Sequence, residues 1–329
     1  MSASGGTKAV LAALTANAFI AVTKFTAWAL TASSSMLAEA IHSCADTANQ
    51  FLLLAGSRAA KREATEEHPF GFGSARFVNA FLVSVILFSL GGLFALYEAY
   101  EKWHEVNAGH PNEMLEGPWW WVPLVVLLAA IAAEGFSFRT AIRESIVTKG
   151  RQSWAQYVRR AKAPELPVIL LEDFAALLGL LFALFGVGMT LLTHNGYWDV
   201  VGTAMIGALL IVVAIVLAYE MNSLLIGEAA SPESIAAIKS ALGGSSGVTK
   251  VIHMRTLHLG PEEVLVAAKI EIEPTASVQR VVEVINTAEA AVREAAPSVA
   301  LVYLEPDVYH PDEDEHAPGM LGYTEEEGL

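Results

Sequence analysis

Four polar side chains follow one face of an otherwise apolar segment near the start of the chain. Glu39, His42, Asp46 and Asn49 recur at helical spacing, so that His42 and Asp46 are one turn apart. An imidazole nitrogen and a carboxylate oxygen placed in this way can hold one divalent cation from the same side. The spacing therefore predicts half of a metal site.

A second apolar segment carries two adjacent acids, Glu172 and Asp173. Neighbouring carboxylates repel each other in a low dielectric, so a bound cation, a shared proton or a lysine must relieve them. Together with His42 and Asp46 they supply one nitrogen and three carboxylates. Such a set suits tetrahedral zinc and could also hold manganese, iron(II) or cobalt.

A purely structural role is the alternative for these charges. Lys24, in the first apolar segment, could neutralise Asp46 or Glu39 in a pair that only joins helices. A charge at mid-bilayer costs about 2.5–3.5 kcal/mol on insertion scales, so each one needs a partner or a task. We interpret the four groups of the predicted metal site as functional. Three other acids, near predicted span ends or on weaker faces, are interpreted as structural: Glu98, Glu134 and Glu220.

The composition places these residues in a membrane protein. Of 329 residues, 54% are hydrophobic and only 17% are charged. A bilayer core of about 30 Å requires roughly 20 mostly apolar residues per helix. Six runs meet this requirement and predict a six-helix transmembrane bundle: Ala9–Leu30, Met36–Ser57, Phe77–Tyr97, Trp119–Phe138, Leu166–Leu192 and Tyr197–Tyr219.

The distribution of basic residues predicts the orientation of the bundle. The segment Arg58–Arg76 carries four Lys and Arg and the segment Arg139–Lys162 carries seven, whereas Glu98–Pro118 has only Lys102. The positive-inside rule then places both termini in the cytoplasm. The alanine-rich spans are typical of a multi-pass protein of a bacterial plasma membrane.

After the last span the chain changes character, because residues 221–329 hold 6 Lys and Arg against 18 Asp and Glu. Strand and helix periodicities predict the order α-β-β-α-β, a ferredoxin-like α+β domain. Apolar faces are expected on the second strand at Val264, Val266, Ala268, Ile270 and Ile272, and on the second helix at Val278, Val281, Val282, Ile285, Ala288 and Val292. The predicted divisions are a transmembrane domain over 1–225, a cytoplasmic dimerisation domain over 226–308 and a disordered acidic tail over 309–329.

Several functional classes fit the sequence poorly. A net charge of −15 argues against nucleic-acid binding. The single cysteine, Cys44, excludes an internal disulfide and a thiolate cluster. The sequence has no nucleophile with a base, no phosphate loop and no nucleotide fingerprint, so we do not expect an enzyme. An ion channel and a membrane-anchored scaffold remain as alternatives to a transporter.

Three runs of the sequence resemble the cation diffusion facilitator family. They are SSSMLAEAIHSCADTANQ (Ser33–Gln50), HPFGFGSARF (His68–Phe77) and LLEDFAALLG (Leu170–Gly179), and they occur in the second, third and fifth spans. The last run is most similar to the solute carrier 30 branch around its ninth member. The resemblance extends from about Thr7 to Asp307 and implies a homodimeric antiporter that exports a cytoplasmic divalent metal, usually zinc, in exchange for protons by alternating access.

The resemblance also implies a ligand set. Family members use His or Asp four residues before Asp in both the second and the fifth span. His42 and Asp46 match the first pair, and Asp173 matches the second aspartate, but Ile169 stands where its partner would be. The fourth ligand is then either Glu172 or water, and a manganese or iron(II) exporter of the same architecture is the alternative reading.

Accessory sites of the family are matched less well. Glu39 and Asn49 extend the polar stripe and could belong to the ion pathway. A loop site could use His68 with Glu66 or Glu67, although Phe72 stands where some members have a second histidine. In the tail domain, Lys269 and Leu304 stand at positions where zinc-sensing members carry ligands. We therefore expect His253 and His258 to be surface residues.

Overall fold

The structure is a computed structural model that describes residues 18–109, 117–163 and 165–310. The chain divides into two compact units, with a boundary between Leu225 and Ile226. The loop Glu63–Gly73 belongs to the second unit, although the first unit flanks it on both sides. In its described residues the first unit is helical, and the second unit combines helices with a sheet.

Seven helices form the described part of the first unit. Several of them begin or end at residues whose side-chain cap or backbone conformation explains the boundary. For example, α4 ends where Gly150 adopts a φ of 58°, a conformation that favours glycine. The helices are α1 (Ala18–Thr31), α2 (Ser34–Ala59), α3 (Ala75–Asn107), α4 (Val122–Lys149), α5 (Trp154–Arg160), α6 (Glu165–Thr193) and α7 (Tyr197–Ile226).

Four of the described helices are long and apolar enough to cross a membrane, namely α3, α4, α6 and α7. They correspond to four of the six predicted spans. Helix α2 covers the predicted second span, but its polar stripe lowers its hydropathy. Helix α1 is described only from Ala18, and residues 9–17 of the predicted first span lie outside the described residues.

Helix α4 continues well beyond the predicted span end at Phe138. The residues that follow include several good helix formers with charged side chains, Arg139, Arg143, Glu144 and Lys149, and the helix extends to Lys149. The hydrophobic run marks the apolar part of this helix but not its end. As a result, Glu134 lies within a long helix rather than near its terminus.

A π turn over Val83–Phe88 interrupts α3. The Ser84 hydroxyl bonds back to the carbonyl oxygens of Ala80 and Phe81, at 3.1 and 2.9 Å. A π turn changes the direction in which the following side chains point, and such turns are frequent at functional sites. Here the Phe88 ring lies with its centroid 6.2 Å from that of the His42 ring on α2.

Buried hydrogen bonds fix the start of α2 against α7. Ser33 is the N-cap of α2, and its hydroxyl donates to Asp199 Oδ1 at 3.1 Å. The backbone N–H of Ser34 donates to Asp199 Oδ2 at 3.0 Å. Asp199 is fully buried in the first turn of α7. Its carboxylate therefore satisfies donors at the amino end of α2 and lies at the favourable end of two helix dipoles.

Helices α6 and α7 approach each other closely at two glycines. A Cβ added at Gly202 would lie 2.9 Å from the carbonyl oxygen of Phe182 and 3.0 Å from the Cα of Gly186. Small residues at such crossings allow helix backbones to touch in an apolar environment. Glycine is therefore required here by space, since both residues are in ordinary helix.

The second unit has the predicted element order α-β-β-α-β. Strands β1 and β2 pair antiparallel, strands β2 and β3 pair parallel, and β2 is central. The described elements are α8 (Pro232–Gly244), β1 (Val248–Gly260), β2 (Glu263–Ile272), α9 (Val278–Ala295) and β3 (Val299–Asp307).

Burial within this unit confirms one predicted face and corrects the other. Along β2, every second residue from Val264 to Ile272 is buried, as the alternation predicted. On α9, however, the buried residues are Val284, Ala288 and Val292, whereas Val278 is 82% exposed and Val282 is 50% exposed. The sheet covers a narrow stripe of this helix, and the apolar residues at its margins stay outside that contact.

The last strand is longer than its apolar run. That run ends at Leu304, but β3 continues to Asp307 because its acidic end pairs with β2. Tyr309 and His310 follow without regular structure. Of the acidic tail that was predicted to be disordered over 309–329, residues 311–329 lie outside the described residues.

The contact at Gly202 gives a test of the α6–α7 packing. We expect Gly202→Val to lower the thermal unfolding midpoint of the detergent-purified protein, because the new side chain meets backbone atoms and overpacking costs about 1–3 kcal/mol. The matched control is Gly188→Val on α6, where an added Cβ meets nothing within 4 Å. The control should be neutral or slightly stabilising, since valine is a better helix former than glycine. Equal midpoints for the two variants would refute the close crossing.

Candidate metal centre

The polar stripe of α2 is buried within the first unit. Glu39 is 0%, His42 is 2%, Asp46 is 7% and Asn49 is 1% exposed. His42 Nδ1 lies 3.5 Å from Asp46 Oδ1, one helical turn further on. The face predicted from the spacing therefore points into the helix bundle, and its imidazole and carboxylate are neighbours.

The two adjacent acids of α6 turn toward different helices. Glu172 Oε2 accepts a hydrogen bond from Asn49 Nδ2 of α2 at 2.8 Å. Asp173 Oδ2 accepts one from Ser137 Oγ of α4 at 2.9 Å. This divergence follows from helical geometry, since consecutive residues are about 100° apart around the axis.

The acids of α2 and α6 face one another across the interface of these helices. Asp46 interacts electrostatically with both Glu172 and Asp173. These acidic side chains interact, but they do not converge on a single position where one cation could contact all of them. Among the described residues, no group of three or more His, Cys, Asp and Glu side chains lies close enough to hold a metal ion.

Several buried ligand-type atoms in this region lack hydrogen bonds. They include His42 Nε2 and Asp46 Oδ1, which lies 3.5 Å from His42 Nδ1 without forming a hydrogen bond. Asn49 Oδ1 and Glu39 Oε1 also lack hydrogen bonds. An unsatisfied buried polar atom costs about 1–3 kcal/mol. Unpartnered imidazole and carboxylate atoms on one face are the donor types that a divalent cation would satisfy.

A buried lysine compensates one acid of the stripe. Lys24 on α1 is 1% exposed, and its Nζ lies 2.9 Å from Glu39 Oε2. It also donates to Ser43 Oγ at 2.7 Å. Of the two acids considered as structural partners of Lys24, Glu39 is therefore the one that forms the ion pair. Asp46, Glu172 and Asp173 form the part of the acidic cluster that this ion pair does not include.

Two further residues belong to the site although the sequence did not single them out for it. Glu134 on α4 is partly buried and interacts electrostatically with Asp46 and Asp173. Ser137, one turn later, binds Asp173. The interpretation of Glu134 as a group near a span end was wrong, because the helix continues to Lys149. Glu134 and Ser137 are three residues apart and therefore share one face of the helix, and this spacing could have indicated their role.

The accessory positions lie in the second unit. His68 is exposed in the loop Glu63–Gly73, and its ring centroid is 4.6 Å from that of Phe72. The expectation that His258 is a surface residue was wrong: it is 9% exposed, and its Nδ1 lies 3.1 Å from the Gly260 carbonyl oxygen. His253 is only partly exposed.

Lys269 carries an ammonium group at one of the positions considered for a tail-domain metal site. Its Nζ lies 2.6 Å from Asp307 Oδ2 and 3.5 Å from Glu305 Oε1. The hydrogen bond to Asp307 raises the pKa of Lys269, and the same bond lowers the pKa of Asp307. The two acids at the end of β3 are thus already paired with a cation of the chain itself.

Two family models match the chain in succession. The model described as the cation efflux transmembrane domain matches residues 10–226. The model described as the cation efflux protein, cytoplasmic domain, matches residues 230–307. The two matches cover the first unit's helices and the second unit's sheet respectively.

Several curated proteins with similar sequences are named for zinc transport or metal tolerance. The chain is 31% identical over 272 residues to the mitochondrial proton-coupled zinc antiporter SLC30A9 of Mus musculus, covering 82% of this chain and 46% of the relative. The human protein of the same name gives 30% with the same coverages. Metal tolerance protein C4 of Arabidopsis thaliana is 29% identical over 269 residues, covering 80% of this chain and 56% of the relative. The chain thus spans about half the length of these relatives.

The Lys24–Glu39 pair generates a prediction about stability. We expect Lys24→Met to destabilise the protein by about 3–5 kcal/mol, because it leaves Glu39 as an uncompensated buried charge. The double variant Lys24→Met/Glu39→Gln should recover most of this loss, since it removes both charges. The readout is the thermal unfolding midpoint of the detergent-purified protein.

The matched control for this prediction is an exposed ion pair on α9. Arg293→Met breaks the contact of Arg293 with Glu289, which lies at 3.1 Å on the surface. Exposed pairs contribute about 0–1 kcal/mol, so this variant should behave almost like the original protein. If Lys24→Met were as stable as the control, the buried pair would have no role in holding α1 against α2.

Proposed function

The chain belongs to the cation efflux family, and on that basis we propose that it exports a divalent cation, zinc in the first place, in exchange for protons. Its resemblance to cation diffusion facilitators of the solute carrier 30 type, near the ninth member, is confirmed by the matching models and relatives. The prediction that it is not an enzyme is confirmed as well, since these relatives are transporters.

One observation carries the proposed activity. A buried imidazole and a cluster of buried acids meet between α2 and α6 with ligand-type atoms that have no hydrogen-bond partner. We assign the cation to His42, Asp46 and Asp173, with Glu172 as the fourth ligand. Ile169, one turn before Asp173, offers no ligand atom, whereas Glu172 has an extra methylene of reach.

Loading such a site couples cation and proton movement. Zinc binds the deprotonated forms of histidine and carboxylate, so its entry releases protons from the ligands and their later protonation releases zinc. The cation and the protons are exchanged because they bind to the same ligand atoms. Rocking of the bundle around a site at this depth would expose it to each side of the membrane in turn.

The proposed architecture is a six-span bundle, in which α1 and α2 complete the set of four apolar helices. The polar face of α2 is covered by α1 and α6, which supports its placement inside the bundle. We propose that the second unit adopts a ferredoxin-like arrangement and joins two protomers. The cytoplasmic-domain model that matches this unit supports that assignment.

We propose that the basic segments Arg58–Arg76 and Arg139–Lys162 lie on the cytoplasmic side, together with both termini. The alanine-rich spans are the reason for proposing a bacterial plasma membrane as the location. The SLC30A9 relatives are mitochondrial proteins by name.

Manganese or iron(II) is the second candidate cargo. The observation that favours it is the oxygen-rich ligand set, in which one imidazole accompanies several carboxylates. Oxygen ligands suit manganese, and mixed nitrogen and oxygen sets suit iron as well as zinc. Competition among the three ions in one uptake assay separates these cargoes.

The ligand assignment predicts the effect of removing its α2 half. We expect His42→Ala and Asp46→Ala to lower zinc uptake into proteoliposomes by more than about 100-fold, because loss of a residue that only orients a metal ligand already costs about 10–100-fold. Matched controls are His104→Ala and Glu101→Gln, exposed residues at the end of α3. Normal uptake by either site variant, in a folded dimer, would contradict the assignment.

The fourth ligand can be identified by moving it along α6. We expect Glu172→Ala to abolish zinc uptake, and we expect Ile169→Asp in the same chain to restore part of it. Position 169 is one turn before Asp173 on the same helical face, so an aspartate there recreates the pairing seen in the family. The measurement is zinc-stimulated proton release from the purified variants together with uptake. Full activity of Glu172→Ala alone would instead assign the fourth position to water.

A further inference from the structure

An apolar cavity of about 670 Å³ opens between α4, α5, α6 and α7. Its wall is built mainly from aliphatic and aromatic side chains, and some of them are also widely exposed, as Tyr219 is at 76%. Cavities of about 300–1,000 Å³ with such linings accommodate small-molecule ligands. Residues that define the wall include Phe138, Ile142, Trp154, Leu171, Phe174 and Tyr219.

The walls formed by α4 and α5 come from the most basic segment of the chain. Residues 139–162 hold seven Lys and Arg and one acid, Glu144. Arg139 and Arg143 flank Ile142, a wall residue, and both are exposed. Lys149 Nζ lies 5.0 Å from the centroid of the Trp154 ring, another wall residue. The apolar cavity therefore has cationic groups beside it.

Helix α5 is held in a fixed conformation at this place. Ser153 and Gln156 form a capping box, with reciprocal hydrogen bonds of 3.2 and 3.1 Å. Lys149 also donates to the carbonyl oxygen of Gln152. Glu220, the acid of the cavity wall, already has an interaction partner. The basic side of the cavity is thus a preformed surface rather than a loose loop.

We propose that this cavity is a binding site for one anionic phospholipid. The acyl chain occupies the apolar wall, and the headgroup phosphate lies at Arg143 and Lys149. Basic pockets between membrane helices are suited to anionic headgroups, and tryptophan is favoured at the depth where headgroup and chain meet. The complementarity of charge separates this occupant from a zwitterionic lipid.

The site also lies against the proposed transport machinery. Phe138 and Phe174 both line the cavity, and their ring centroids are 5.9 Å apart. Each ring follows directly after a residue of the Ser137–Asp173 hydrogen bond. A lipid chain in the cavity would brace α4 against α6 at the level of that bond. The lipid site goes beyond the proposed function, because occupancy can be measured without transport.

The test uses the 329-residue protein in nanodiscs of phosphatidylcholine. Brominated phosphatidylglycerol and brominated phosphatidylcholine are each titrated over the same range of mole fractions, and the quenching of Trp154 is obtained by subtracting the signal of Trp154→Phe. We expect phosphatidylglycerol to quench Trp154 at a lower mole fraction than phosphatidylcholine does. Arg143→Gln and Lys149→Gln should each weaken this preference about fivefold, the contribution typical of one basic residue near an anionic surface.

Two controls make the outcome decisive. Arg58→Gln removes an exposed basic residue at the end of α2 that does not line the cavity, and it should leave the preference unchanged. Ala155→Phe places a ring in the cavity and should remove quenching by both lipids. Equal quenching by the two lipids would show acyl filling without headgroup recognition and overturn the proposal. Absence of quenching by either lipid would overturn it too, in favour of a protein partner at this face.

Discussion

The imbalance of buried charge within the helical unit governs the rest of its structure. Glu39, Asp46, Glu172 and Asp173 are all buried, and Glu134 is partly so, while the buried ammonium nearby is that of Lys24. An ionised carboxylate without a counter-charge is too costly to keep in a low dielectric. Lys24 compensates Glu39. The remaining acids therefore require mobile cations, and protons and a divalent metal are the two that the proposed exchange supplies.

Along α2, the need for a cation is limited to the region around His42 and Asp46. At the amino end of α2, Asp199 is also fully buried, but it accepts hydrogen bonds from Ser33 and from the backbone of Ser34. Two to three turns further on, His42 Nε2 and Asp46 Oδ1 have no hydrogen bond at all. The first region is satisfied and holds α2 in place, and the second is left open to a ligand. Polar groups without partners are tolerated in proteins mainly where function uses them.

The spacing of residues in the sequence was enough to predict part of this structure. The stripe from Glu39 to Asn49 and the alternation along β2 depend only on helical and strand periods, and both appear where the sequence placed them. The role of Glu134 was missed because hydropathy locates the apolar part of a helix, while the end of α4 is set by Gly150. The partners of Glu172 and Asp173 could not be predicted, since they depend on how three helices are rotated. The burial of His258 likewise depends on a contact with Gly260 across a strand irregularity.

The divergence of Glu172 and Asp173 bears directly on how a site of this kind could work. In the observed arrangement Asn49 holds one carboxylate toward α2, and Ser137 holds the other toward α4. A cation bound by both acids and by His42 and Asp46 would require these side chains to converge, because no such cluster exists among the described residues in the observed arrangement. Each hydrogen bond occupies one oxygen of its carboxylate, so the other oxygen stays available to a cation while Asn49 or Ser137 orients the group. Neutral hydrogen bonds contribute only about 0.5–1.5 kcal/mol each, so they would orient the two acids without holding them against a divalent cation.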